Sequence, residues 1–189
     1  MRNRSQKVPD MTDWSQIVYE HGPIAWRTAY RLLNNEADAG DCFQRAFISA
    51  LELERTEVIR NWPALLKRLA TARALECIRR RRRESSRLTA LAEGSIIDRK
   101  GVGPVKAAEA TELAEHLRAA LADLDARQAQ VFCLACLDGL GYQEIAEQLR
   151  VTVNHVGVLL NRARATLRAR LQAHRPTPAA EHFPRERES

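Results

Sequence analysis

The sequence predicts an all-α protein built as two small helical domains joined by a flexible linker. Three observations carry this. Glycine and proline together supply only 15 of the 189 residues, against a usual share of about 12%. Arg, Ala, Leu and Glu, which tolerate helix well, are abundant. Apolar residues recur with the helical period over two long stretches, interrupted once by a stretch of Ser, Gly and Pro. Hydrophobic residues make up 45% and charged residues 29%, which excludes a chain disordered throughout. The longest strictly apolar run, Val131–Leu137, falls far short of the ~20 residues that span a bilayer. The N-terminus lacks an apolar signal core. A cytoplasmic protein without membrane insertion is expected.

The elements follow in order. Residues 1–10 read as a loose tail. Thr12 or Asp13 caps a helix from about Trp14, which Gly22-Pro23 should interrupt or restart. Trp26, Ala29/Tyr30 and Leu33 then form a stripe, and Asn34-Asn35 breaks it. A second helix is expected from Glu36 to Leu53, with Ala39, Phe43, Ala46/Phe47, Ala50 and Leu51/Leu53 on one face. After a loop, a third runs from Trp62 to Arg83, with Pro63 tolerated in its first turn and a stripe at Leu65/Leu66, Leu69/Ala70, Arg73/Ala74 and Cys77/Ile78. Residues 12–83 thus form one domain and 84–108 a linker, with a short helical turn possible near 87–93. The second domain covers 109–173. Its first helix carries Leu113, Leu117, Ala120/Leu121 and Leu124. Asp125 caps a helix over 126–137, Asp138-Gly139 turns, a short helix covers Tyr142–Leu149, and a long one runs from Val153 to about Ala173. Residues 174–189, rich in Pro and charge, are expected to be disordered.

Charge is segregated. The net charge is +6, but residues 60–83 hold nine basic groups against one acid, and residues 150–175 hold six Arg and no acid. Residues 36–57 and 107–148 are acidic. The pattern suggests polyanion contact at two places. The run Arg79 to Arg83 repels itself unless a polyanion neutralises it, which marks Arg60, Lys67, Arg68, Arg73, Arg79 and Arg80 as candidate DNA contacts. Residues 142–168 read as a helix-turn-helix in which Ile145, Leu149 and Val156 pack across the turn. Its second helix would present Asn154, His155, Val158, Leu159 and Arg162 to the major groove, with Arg164, Arg168 and Arg170 reaching phosphates. An ordinary helical hairpin with a solvated arginine surface gives the same local pattern.

The order and spacing of four segments resemble the extracytoplasmic-function (ECF) class of bacterial sigma factors. Asp38-Ala-Gly-Asp-Cys-Phe-Gln-Arg-Ala-Phe47 is similar to the family's Asp-Ala-Glu-Asp-x-x-Gln-Glu-x-Phe. Trp62-Pro-Ala-Leu-Leu-Lys-Arg-Leu-Ala70, with Glu76 and Arg79, resembles its region 2 helix. Leu124-Asp-Ala-Arg-Gln-Ala-Gln-Val131 with Leu137-Asp-Gly-Leu-Gly-Tyr-Gln-Glu-Ile-Ala146, and Asn161-Arg-Ala-Arg164, resemble region 4. The resemblance implies a subunit that binds core RNA polymerase and directs it to promoter DNA. Asp38, Asp41, Gln44 and Arg45 would meet the polymerase clamp, region 2 would read the −10 element and region 4 the −35 element. It implies an anti-sigma factor as a further partner, and no catalytic residue, cofactor or metal. The alternative is a stand-alone helix-turn-helix regulator that binds DNA without polymerase.

The chain departs from the family pattern in places. Arg45 stands where the family carries an acid. His155-Val-Gly-Val-Leu-Leu160 replaces a more polar and basic stretch, so Val158 and Leu159 could meet thymine methyls but not phosphates. Cys133-Leu-Ala-Cys136 has the spacing of a metal or redox pair, though two small buried hydrophobes fit it better. Phosphate-loop, metalloprotease and nucleophile-elbow motifs do not occur.

Overall fold

The computed structural model describes residues 12–91 and 105–172. The expected N-terminal and C-terminal tails and the centre of the expected linker lie outside the described residues. All regular structure among those described is helical: α1 (Trp14–Leu33), α2 (Glu36–Glu54), α3 (Trp62–Leu91), α4 (Val105–Asp123), α5 (Ala126–Phe132), α6 (Tyr142–Leu149) and α7 (Val153–Gln172).

Local signals place most of the ends. Asp13, rather than Thr12, caps α1 by accepting from the Gln16 N–H at 3.1 Å. Asn34 closes α1 in the left-handed conformation (φ 49°), its N–H donating to the Tyr30 carbonyl at 2.7 Å. Asn35 then caps α2 by accepting from the Asp38 N–H at 3.0 Å. The pair Asn34-Asn35 therefore ends one helix and starts the next, a role suited to a short polar side chain that tolerates positive φ. Asn61 caps α3 through the Ala64 N–H at 3.0 Å. Asp125 caps α5 through the N–H groups of Arg127 and Gln128.

Two elements differ from the periodicity reading. Gly22-Pro23 does not interrupt α1, which runs continuously through Pro23. Proline removes only its own N–H, and Pro23 lies on an exposed face where water can serve the freed carbonyl. Gly22 is buried against the Phe43 ring on the other side. Between Phe132 and Asp138 the chain widens into a π-helical turn, Cys133–Leu137, closed by the Asp138 N–H on the Cys133 carbonyl at 3.0 Å. Periodicity does not announce one inserted residue. α3 also continues to Leu91, beyond Arg83.

α3 is the central helix. The apolar members of its expected stripe (Leu65, Leu66, Leu69, Ala70, Ala74, Cys77 and Ile78) are buried, largely against α1 and α2, whereas Arg73 of that stripe is half-buried. A second face, Ala64, Thr71 and Leu75, is buried as well, because α4, α5 and α6 pack on α3. The two helical groups therefore share a core. Leu32, Leu33, Leu75 and Ile78 of the first group join Leu121, Leu124, Cys133 and Leu167 of the second in one cluster. A further cluster, Val131, Leu134, Ile145, Val156 and Leu160, holds α5, α6 and α7 together and receives Ala64. A group of about 70 residues buries little apolar surface alone; each gains by covering the other.

Candidate nucleic-acid and protein interfaces

The helix-turn-helix forms as expected. Ile145 and Val156 are fully buried across the turn and Leu149 packs beside them. Glu144 folds back to accept the Gly141 N–H at 2.8 Å, one half of a capping box. Arg150 takes the left-handed conformation (φ 53°) that ends α6. Thr152 caps α7 through the His155 N–H at 3.2 Å. The outward face of α7 exposes Asn154, His155, Val158, Arg162, Arg164 and Arg168. Leu159 is not among them. It is buried beside Val156 and Leu160, because positions 156, 159, 160, 163 and 167 form the inward stripe of α7. Arg164 donates to the exposed Cys136 sulfur at 3.5 Å, and Arg170 pairs with Asp123.

The basic residues before and along α3 are divided. Arg60 is exposed, in the loop before the helix. Lys67 donates to the Asp138 carbonyl at 2.8 Å, Arg68 to the Gln148 side chain at 3.3 Å, and Arg79 to the Leu124 carbonyl at 3.3 Å. Burial lowers the pKa of Arg68. Arg73 donates to Ser49 at 2.9 Å and to Glu76 at 3.0 Å, and Arg80 lies 3.9 Å from Glu84. The arginine run is neutralised from within as well. Arg81 pairs with Asp38, and Arg82 grips both Asp123 oxygens at 2.7 and 2.8 Å. Part of the self-repulsion expected of this run is thus relieved by two acids distant in sequence, Asp38 and Asp123.

Asp138 gathers polar contacts from α1 and α3. Its side chain is 3% exposed. Thr28 donates to Oδ1 at 2.8 Å, Arg31 pairs with the same oxygen, and Thr71 donates to Oδ2 at 3.1 Å. Leaving such a buried acceptor unpaired costs on the order of 1–3 kcal/mol or more. In the sequence Asp138 reads only as a turn residue. The signal that could have found its partners is Thr71, a hydroxyl at helical spacing from Ala64, Arg68 and Leu75.

On α2, Asp41, Gln44 and Arg45 are exposed together, as residues three and four apart should be. Asp38 is turned toward α3, its side chain 17% exposed and held by Arg81. Ile48 and Leu51 continue the outward face, at 57% and 37% exposure, so Leu51 does not belong to the stripe with Ala39, Ala46 and Ala50 where the sequence places it; the offset of both from the buried positions 39, 42, 46, 49 and 50 is the available signal. A cavity of about 310 Å³ between α2 and α3 is lined by Asp41, Arg45, Arg80 and the Cys42 and Cys77 thiols, among others. Burial pushes the Cys42 thiol up to about 11 and raises that of Cys77. Cys133 is fully buried, and burial pushes its thiol up to about 12. Cys136 is exposed, so the C-x-x-C pair is split between core and surface across the π turn. Among the described residues no group of three His, Cys, Asp or Glu side chains is placed to hold a metal ion, and no helix is long and apolar enough to cross a membrane.

The family model described as Sigma-70 region 2 matches residues 17–84, and that described as Sigma-70, region 4 matches residues 114–167. The chain is 30% identical over 165 residues to the ECF RNA polymerase sigma factor SigE of Mycolicibacterium smegmatis, covering 87% of this chain and 63% of the relative. It is 28% identical over 178 residues to the ECF RNA polymerase sigma factor SigW of Bacillus subtilis, covering 90% and 95%. In fold it is similar to the sigma factor RpoE held in complex with the anti-sigma factor NepR from Bartonella quintana, with TM-score 0.51, 20% identity and 86% and 99% of the two chains covered. It is also similar in fold to CnrH in complex with the cytosolic domain of CnrY, with TM-score 0.53, 24% identity, and 85% and 88% covered.

Proposed function

Since this chain belongs to the sigma-70 family, in its ECF branch, we propose that it binds core RNA polymerase and directs it to specific promoters to start transcription. The observation that carries this reading is the pairing of two matched regions with two outward faces. Region 2 contains the exposed stripe of α2, Asp41, Gln44, Arg45, Ile48 and Leu51. Region 4 contains the helix-turn-helix with Asn154, His155, Val158 and Arg162 outward. A stand-alone regulator has no use for region 2.

In this proposal residues 12–83 act as the polymerase and −10 module, 109–173 as the −35 module, and 84–108 as the connection. Asp41, Gln44 and Arg45 contact the polymerase clamp, and Asp38 fixes α2 against Arg81 beside them. Arg60, with Arg73 and Arg80 once freed from their acids, meets promoter phosphates. The α7 face reads −35 bases, with Arg164 and Arg168 holding register on phosphates. The role is one of binding and positioning rather than catalysis, exercised in the cytoplasm and open to control by an anti-sigma factor.

The test is binding of the full chain to bacterial core RNA polymerase, beside an Asp41→Arg/Gln44→Ala variant. Submicromolar binding by the wild type, weakened at least tenfold in the variant, is the expected result. Equal binding by both forms would remove the α2 face from the account, and no binding by either would remove the sigma reading.

A further inference from the structure

We propose that the cavity between the loop before α3 and the helices α5 and α6 binds a small amphiphilic anion: an aliphatic body with one carboxylate or phosphate head. The cavity measures about 580 Å³, within the range of ordinary ligand sites, and it lies at the seam of two helical groups, where such sites concentrate. Its apolar part is Leu53, Val58, Ile59 and Leu65 from the first group and Leu149 from the second. Leu65 is buried, and Leu53, Ile59 and Leu149 are half-buried. Val58 is 88% exposed, an aliphatic side chain left in water that a bound apolar body would cover. Among the described residues no aromatic ring lines the cavity. It therefore gives a nucleobase nothing to stack on, and a saturated chain is the body it fits.

The polar part calls for an anion. Arg60, Arg68, Arg127 and Arg150 line the cavity against two carboxylates, Glu57 and Glu147, and Glu57 is already paired with Arg150. Arg68 carries the argument. It is half-buried and donates from Nε to the Gln148 side chain at 3.3 Å. Among the described residues no carboxylate lies within ion-pair distance of it. A guanidinium presents a planar fork of N–H donors that matches a carboxylate or a phosphate, and a partly desolvated charge without a counter-charge is costly. Burial and the nearby Arg150 charge both lower the pKa of Arg68, as expected of a cation that lacks an anion. A bound anionic head supplies what the chain does not, and the exposed Arg60 and Arg127 add to its attraction. The lining comes from both helical groups, so the ligand ties them together. Nothing in this site depends on the sigma reading.

The test titrates the full-length chain by isothermal calorimetry with octanoate, octyl phosphate, octanol and adenosine monophosphate, each below the concentration at which it self-associates. The expected result is saturable one-to-one binding of an alkyl anion at about 0.1 mM or tighter, with a melting temperature that rises with its concentration. Octanol, which has the body without the charge, should bind about tenfold or more weakly. The tighter of octanoate and octyl phosphate identifies the head group. Two variants locate the site. Arg68→Met keeps an extended side chain and removes an uncompensated charge, so the free chain should melt as before while anion affinity falls about tenfold. Should Arg68→Met lose helix by circular dichroism, Arg127→Gln, at an exposed position, carries the test with a loss of about threefold or more. Folded variants that bind the anions as well as the wild type does would put the probe on another apolar face and overturn the site. So would a lack of saturable binding, octanol binding as tightly as the anions, or adenosine monophosphate binding more tightly than either. Polymerase and promoter DNA are absent from every arm, so the outcome is separate from that of the sigma reading.

Discussion

α3 and α7 are both long, arginine-rich helices, and they are turned in opposite senses. α3 sits in the middle of the molecule, covered on two faces, and its cations end on acids and carbonyls of its neighbours. α7 lies at the edge, buries one stripe and shows the rest to solvent. The difference teaches that a count of charges along a helix does not say where they point. What decides it is the number of apolar faces a helix must cover and whether acids elsewhere in the chain reach it. Nothing in residues 60–83 marks Asp38 or Asp123 as partners, yet these two acids take up Arg81 and Arg82.

The largest effect should come from adjacent positions on α7. Leu159→Ala removes a buried side chain and is expected to cost about 2–5 kcal/mol of stability, while Val158→Ala, on an exposed neighbour, stays within about 0.5 kcal/mol. Urea unfolding of the two variants checks this, and equal costs would break the inward–outward division of the helix.

The thiols divide in the same way. Cys42 and Cys133 keep their protons in the folded chain well above the ordinary thiol range because they are buried. Their folded-state values lie above those of the unfolded chain, so the unfolded form loses protons first. Stability is therefore full below about pH 9 and falls as pH rises toward 11, at up to about 1.4 kcal/mol per pH unit for each thiol. Urea midpoints at pH 8 and pH 10 measure it, and Cys133→Ala should remove part of the slope. Cys136, being exposed, should react with a thiol reagent in the native state long before the other three.

Smaller effects sharpen the contrast further. Gly157 faces open space beside the Tyr142 ring, with room for a methyl group at ordinary contact distance. Gly157→Ala should stabilise α7 by about 1 kcal/mol, seen as a higher melting temperature. Arg82→Ala should cost only about 0.5–1 kcal/mol, since its pair with Asp123 is half exposed. Arg162→Ala should leave stability unchanged and weaken DNA binding alone.

Much of this was legible in the residues. Asn34-Asn35, Asp125 and the turn before Val153 announce helix ends through side chains that bond their own backbone, and such local chemistry is visible in a string of letters. The Ile145–Val156 contact follows from periodicity across a short turn. The rest depends on tertiary partners. Pro23 stays within α1 because its face is open to water, and Leu159 turns inward because α6 lies across it. Asp138 became more than a turn residue only when Thr28 and Thr71 were brought to it. Of the candidate sites, Asn154, His155, Val158, Arg162 and Arg164 of α7 and Asp41, Gln44 and Arg45 of α2 are exposed, whereas Leu159, Lys67, Arg68 and Arg79 face the protein.

The most direct test is transcription by core RNA polymerase on fragments of the source genome, with and without this chain. The account predicts transcripts from defined start sites that require the chain and disappear with Asp41→Arg/Gln44→Ala. Transcripts that are the same with and without the chain, under conditions where the chain is folded, would contradict it.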